Sequence, residues 1–125
     1  EMHAALRATR GAAVGLAQIR PRDRLLTFVG VGNISGSVVR PGESRSLVSY
    51  AGIVGHQCHK IQEFTYPWQA GSTLVLHSDG LQTRWQLARY PGLLERDPSI
   101  VSAVLYRDHE RGRDDVTVVT VREAE

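Results

Sequence analysis

Only one cysteine, Cys58, occurs in the 125 residues, so no internal disulfide can form. That usage fits a reducing compartment, and the cytoplasm is the expected location. Cys58 reads as a small, partly buried apolar residue, because no neighbouring cysteine could resolve or chelate with it. Aromatic residues are scarce at 6%, and none interleave with the cations as a stacking surface for nucleic acid would require. Lysine is nearly missing: of 15 cations all but one are arginine, spread from Arg7 to Arg122 against 13 anions. A net charge of +2 distributed in this way is not the basic footprint of a nucleic-acid binder. No apolar run approaches the roughly 18 to 20 residues of a membrane span. Residues 1–13 also lack the basic start, apolar stretch and small-residue cleavage site of a secretory signal. Neither nucleic acid nor membrane is expected as a partner.

What is present is ordinary for a globular chain, with 42% hydrophobic and 22% charged residues, enough for one core. Met2, Ala5, Leu6 and Thr9 recur at helical spacing with no N-cap before them, which predicts a helix beginning upstream of Glu1. Ala12 to Ile19 and Leu25 to Val31 are apolar runs joined by the turn Pro21-Arg22-Asp23-Arg24, and an antiparallel hairpin is the simplest pairing. After the glycine-rich turn Gly30 to Gly36, further strands are expected at Ser37 to Arg40, Ser46 to Tyr50, Glu63 to Tyr66 and Thr73 to His77. The pattern from Leu81 to Arg113 is helical in character, with Pro98 a favourable helix start. Val116 to Val121 is β-branched and predicts a mostly buried final strand. Helix, hairpin strands, helix and terminal strand together indicate an α+β layered fold with mostly antiparallel sheet.

Two segments carry chemistry: Leu74-Val75-Leu76-His77-Ser78-Asp79-Gly80 and Gly112-Arg113-Asp114-Asp115-Val116-Thr117-Val118-Val119. In each, an acidic residue stands where an apolar strand meets a turn. The strand fixes the carboxylate and the glycine admits backbone and solvent, which is what a hard divalent cation bound by oxygen needs. Magnesium and manganese fit best. Asp-Gly is also a common turn dipeptide, and either segment alone could be a solvated loop.

Leu76-His77-Ser78-Asp79-Gly80-Leu81 and Arg113-Asp114-Asp115-Val116-Thr117-Val118-Val119 resemble the last two metal-binding motifs of the metal-dependent (PPM, type 2C) protein phosphatases. The bacterial branch typified by stage II sporulation protein E is the most similar. Gly30-Val31-Gly32-Asn33 and Gly52-Ile53-Val54-Gly55 resemble two of that family's turns. The resemblance covers essentially all of residues 1–125 and implies part of an α/β/β/α sandwich. It implies a Mn²⁺- or Mg²⁺-dependent protein serine/threonine phosphatase that hydrolyses phosphoserine or phosphothreonine with a metal-activated water. The partner it implies is a phosphorylated bacterial signalling protein, such as an anti-sigma-factor antagonist.

Carried over by position, Asp79 and Asp114 are metal ligands, with Asp115 and Gly80 in an accessory-metal or supporting role. His56 is a candidate substrate-side contact, alongside a plain loop histidine. The family's first motif, Asp-Gly-x-Gly before a helix, has no counterpart between Glu1 and Asp79. The chain is therefore expected to be the C-terminal portion of one phosphatase domain, inactive alone, with the remaining ligands upstream. A phosphatase-like module that binds or regulates without catalysis is the alternative.

Other motifs do not complete. His56, Cys58 and His59 lack a second pair of zinc ligands at a usual spacing. Gly30-x-Gly32-x-x-x-Gly36 is followed by strand-forming Ser37-Val38-Val39 instead of the helix a dinucleotide fingerprint requires. Ser78 is not in a Gly-x-Ser-x-Gly elbow. His77, inside an apolar strand, reads as a half-buried strand residue instead of a proton donor.

Overall fold

The computed structural model describes residues 2–5, 12–49, 62–112 and 114–124. The Gly52–Gly55 turn, His56, Cys58, His59, Arg113 and the continuation of the first helix lie outside these described residues. The architecture is α+β, as the residue pattern predicts, and among the described residues every strand pairing is antiparallel where a mostly antiparallel sheet was expected. The chain divides into two compact units, Glu1–Ile34 with Val48–Gln69, and Ser35–Leu47 with Ala70–Glu125.

The first unit contains the short helix α1 (Met2–Ala5) and strands β1 (Val14–Arg20), β2 (Leu25–Val31) and β5 (Phe64–Pro67), in the sheet order β1-β2-β5. The expected hairpin forms, from Val14 opposite Val31 to Arg20 opposite Leu25. Strand alternation buries Leu26, Phe28 and Gly30 in β2; Val31 at its end, Tyr66 and Trp68 are buried as well. The hairpin turn holds Arg24 at φ 56°, and its carbonyl accepts a hydrogen bond from Trp68 N at 2.9 Å.

The second unit holds β3 (Ser35–Arg40), β4 (Glu43–Ser46), β6 (Thr73–His77), β7 (Val118–Arg122) and helix α2 (Pro98–His109), with sheet order β4-β3-β6-β7. The central strand β6 is the most deeply buried, which its unbroken apolar run Leu74-Val75-Leu76 requires. α2 starts where Asp97 accepts a hydrogen bond from Ser99 N at 2.9 Å and Pro98 takes the first turn. Val101 and Leu105, one turn apart, are fully buried and join Val39, Val75, Leu81, Trp85, Leu87 and Leu93 in one core. Two such aliphatic side chains stabilise the helix's seat by ~1.5–3 kcal/mol each. Ser102 and Thr120 hydroxyls meet at 2.7 Å and link α2 to β7.

Three local expectations are corrected. The fourth strand is Glu43–Ser46, and not Ser46–Tyr50, because the tight turn at Gly42 (φ 76°) returns the chain at once, with Arg40 opposite Glu43. Its polar, exposed residues carry no apolar signal. The helical stretch expected over Leu81 to Arg113 is helix only at Pro98–His109, preceded by 3₁₀ turns at Leu87–Arg89 and Leu93–Glu95. Pro91 and Gly92 (φ 81°) interrupt it. Ile100, near the start of that helix, is 46% exposed. β7 is an edge strand, half-buried instead of mostly buried, with Val119 45% exposed.

Candidate metal centre

β6 is hydrogen-bonded on both sides, with His77 opposite Ser35 of β3 and opposite Val118 of β7. Past His77 the regular ladder stops and Ser78 takes over. Its N–H donates to the Thr117 carbonyl at 3.1 Å. Its hydroxyl accepts from Thr117 N at 3.0 Å and donates to the Asp115 carbonyl at 3.4 Å. The other arm of the loop between α2 and β7 is tied just as closely. Arg111 N donates to the Gly80 carbonyl at 2.9 Å, Leu81 bridges Glu110, and Gln82 N donates to the His109 carbonyl at 2.9 Å. Leu81, fully buried, anchors the turn from below.

Gly80 is the point of closest approach. A Cβ there would collide with the Asp115 carbonyl and come within 2.8 Å of Val116 Cγ2. Only glycine lets the Asp79 turn and the Asp114–Asp115 turn lie side by side. Asp79, Asp114 and Asp115 are all exposed, and Asp114 Oδ1 accepts from Asp115 N at 2.8 Å, which holds that carboxylate against its own turn.

His77 is buried, not half-buried, at 4% exposure. Trp85 Nε1 donates to its Nε2 at 3.2 Å, so Nδ1 carries the proton and donates to the Ser78 carbonyl at 2.8 Å. Burial lowers its pKa below 6.5; the Ser78 bond opposes this and the nearby Arg111 charge adds to it. With both ring nitrogens committed, His77 positions the turn and is not a ligand. Neither the Ser78 clasp nor the Trp85 bond is visible in sequence, where the only hint is a hydroxyl residue directly before Asp-Gly.

The donor set fits a hard divalent ion in part. Asp79 and Asp114 offer two carboxylates on rigidly joined turns, suited to an octahedral ion that keeps several waters. Among the described residues no group of three or more His, Cys, Asp and Glu side chains converges. Of the accessory candidates, Asp115 neighbours the pair, and the Gly80 carbonyl already accepts from Arg111 N. No helix among the described residues is long and apolar enough to cross a membrane.

Solved structures share this architecture. One, described with the bacterial stressosome as a modular system adapted to control secondary messenger signalling, is 27% identical with a TM-score of 0.81, over 96% of this chain and 63% of that one. RsbX in complex with magnesium is 23% identical with a TM-score of 0.74, over 94% of this chain and 59% of that one. The phosphatase domain of the cell fate determinant SpoIIE from Bacillus subtilis, presoaked with manganese, is 22% identical with a TM-score of 0.67, over 91% of this chain and 57% of that one. The fold is thus that of the metal-dependent protein phosphatases. The family model described as stage II sporulation protein E matches residues 1–123, and the chain belongs to that family. It spans about 63% of the first of these structures and is homologous to PPM serine/threonine phosphatases. No curated protein matches the sequence.

Proposed function

We propose that residues 1–125 form the C-terminal portion of a Mn²⁺- or Mg²⁺-dependent protein serine/threonine phosphatase domain, with Asp79 and Asp114 as two of its metal ligands. The observation that carries this reading is the clasp in which the Ser78 hydroxyl and the bare Gly80 hold the two aspartate turns side by side. A pair of divalent ions supplies an acidified water and neutralises phosphoryl charge. The chain's own residues do the positioning. Asp79 and Asp114 present carboxylates from strand ends, Ser78 keeps their turns in register, and neutral His77 holds the Ser78 carbonyl in place. Asp115 and Gly80 support this pair, and the remaining ligands come from residues preceding Glu1. That placement is supported by the chain spanning 57–63% of the phosphatase-fold structures it resembles.

The substrate is a phosphoserine- or phosphothreonine-bearing bacterial signalling protein of the anti-sigma-factor antagonist kind, with His56 on the substrate side. Support comes from family membership and from similarity to a stressosome-associated structure and to RsbX. The test is Mn²⁺ binding by calorimetry and hydrolysis of a phosphoserine protein by the intact protein, before and after Asp79→Asn and Asp114→Asn. Each variant is expected to lower activity by at least about a hundredfold and to weaken Mn²⁺ uptake. Full activity in both variants would refute the ligand assignment. Wild-type protein without any hydrolytic activity would favour a non-catalytic regulatory module.

A further inference from the structure

The sheet of the second unit ends on β4, and among the described residues no strand pairs with its outer edge. Leu47 N donates to the Gly36 carbonyl at 2.8 Å, and hydrogen-bonded pairs recur at every second residue of an antiparallel ladder. Arg45, opposite Val38, and Glu43, opposite Arg40, therefore direct their backbone groups to β3. The backbone N–H and C=O of Ser44 and Ser46 point the other way, along an edge whose four residues are all exposed. Side chains alternate as well. Ser44 shares a face with Val39, its partner across the hairpin, while Glu43 and Arg45 stand on the opposite face.

Beside Ser44 lies a groove of about 330 Å³, with Val39, Trp85, Leu87, Ala88 and Leu94 in its walls. A second hollow of about 200 Å³ adjoins it, sharing Leu87, Ala88 and Leu94. The walls belong to the core that seats α2, in which Val39, Trp85 and Leu87 are buried and against which Leu94 packs. A short polar edge ordinarily protects a sheet from further pairing. Here the edge carries one charge of each sign on one face and an apolar recess on the other. That layout suits strand addition, where main-chain bonds hold a peptide and a pocket reads alternate side chains. In an added antiparallel strand, the residue opposite Ser44 turns its side chain onto the groove face. The residue before it meets Arg45, and the residue after it meets Glu43. Charge complementarity then requires acid, apolar and base in that order. A second copy of β4 would match these charges but lay Ser44 over the groove and leave it unfilled.

We propose that β4 and this groove dock an extended segment of a partner protein, paired antiparallel to β4, in which an apolar residue follows an acidic one and precedes a basic one. The apolar side chain fills the groove, and the Ser44 and Ser46 backbones supply the hydrogen bonds. The site is independent of the Asp79–Asp114 reading and holds its peptide with or without Mn²⁺.

The probe is a fluorescein-labelled synthetic peptide with Thr-Glu-Leu-Arg-Thr at its centre, titrated into the intact protein by anisotropy while ¹⁵N spectra follow the amides. Micromolar binding is expected, as suits a small interface, with the Ser44 and Ser46 amides shifted most. Serine in place of the peptide's central leucine should weaken binding about tenfold or more. Ala88→Glu should do the same, because it sets a charge in the groove from an exposed position. Wild type should prefer Glu-Leu-Arg over Arg-Leu-Glu at the peptide's centre, and the double variant Glu43→Arg with Arg45→Glu should reverse that preference. Urea midpoints near the wild-type value establish that the variants fold; where one does not, the leucine and serine peptides on wild type still decide. No saturable binding overturns the proposal, and so does equal affinity for the leucine and serine peptides or for the two charge orders. A wild-type dimer in light scattering that Glu43→Arg dissociates assigns the edge to a second copy and overturns it too.

Discussion

Trp85 donates its indole N–H to Nε2 of His77 across 3.2 Å of buried space, and the two rings meet edge to face with centroids 6.0 Å apart. This contact selects the Nδ1–H tautomer, which in turn holds the Ser78 carbonyl. A core tryptophan thereby helps to orient the turn that presents Asp79.

Trp85→Phe tests that chain of contacts. Phenylalanine retains much of the packing but leaves His77 Nε2 buried without a donor, a loss of ~1–3 kcal/mol. Urea unfolding should show a lower midpoint. Long-range ¹H–¹⁵N spectra of the wild type should show neutral His77 with its proton on Nδ1; a proton on Nε2 would contradict the geometry.

Gly80→Ala should destabilise the protein by ~1–3 kcal/mol, because the added Cβ meets the Asp115 carbonyl, a backbone group that cannot swing aside. Gly42→Ala provides the contrast. At φ 76° with nothing within 4 Å of its Cβ position, it carries backbone strain alone, of ~1 kcal/mol. Denaturation of the two variants side by side should separate steric collision from strain, and Mn²⁺ uptake should fall only for Gly80→Ala.

Ser78→Ala removes the hydroxyl that accepts from Thr117 N and donates to the Asp115 carbonyl. The expected stability loss is ~1 kcal/mol. Mn²⁺ affinity should weaken about tenfold or more, since the two aspartate turns lose a shared tie. Unaltered Mn²⁺ affinity would show that Gly80 packing alone aligns them.

Asp108 supplies a pH-dependent prediction away from the site. Hydrogen bonds from Arg107 first, and from Tyr90, lower its pKa from 3.8 to about 2. A carboxylate whose folded pKa is depressed stabilises the fold fully above its ordinary pKa. That contribution fades as pH falls from 3.8 toward about 2. Carboxyl ¹³C titration should place the Asp108 midpoint near 2 in the wild type and clearly higher in Arg107→Gln.

Much of the framework follows from local chemistry in the sequence. The unbroken run Thr73 to His77 can only be a buried strand, and β6 has those bounds. Two apolar runs around Pro21-Arg22-Asp23-Arg24 form the expected hairpin, and Asp97-Pro98 starts α2 because its cap and fixed φ act within one turn. The acidic strand ends at Asp79 and Asp114 are equally local, and the motifs around them resemble the family whose model matches residues 1–123. Other features depend on partners distant in sequence. β4 is a strand because β3 supplies its hydrogen bonds, while its own residues, Glu43-Ser44-Arg45-Ser46, are polar and exposed. Leu81 to Gln86 is expected to be helical but forms no helix, because Leu81 bridges Glu110 and Gln82 N donates to the His109 carbonyl. The joining of the two aspartate turns is likewise a tertiary event. Ser78 meets Thr117 across 39 residues, and Gly80 needs its empty Cβ only because Asp115 arrives there. Residue type decided which groups could offer carboxylates, and the hydrogen bonds between distant segments decided that the two aspartate turns lie side by side.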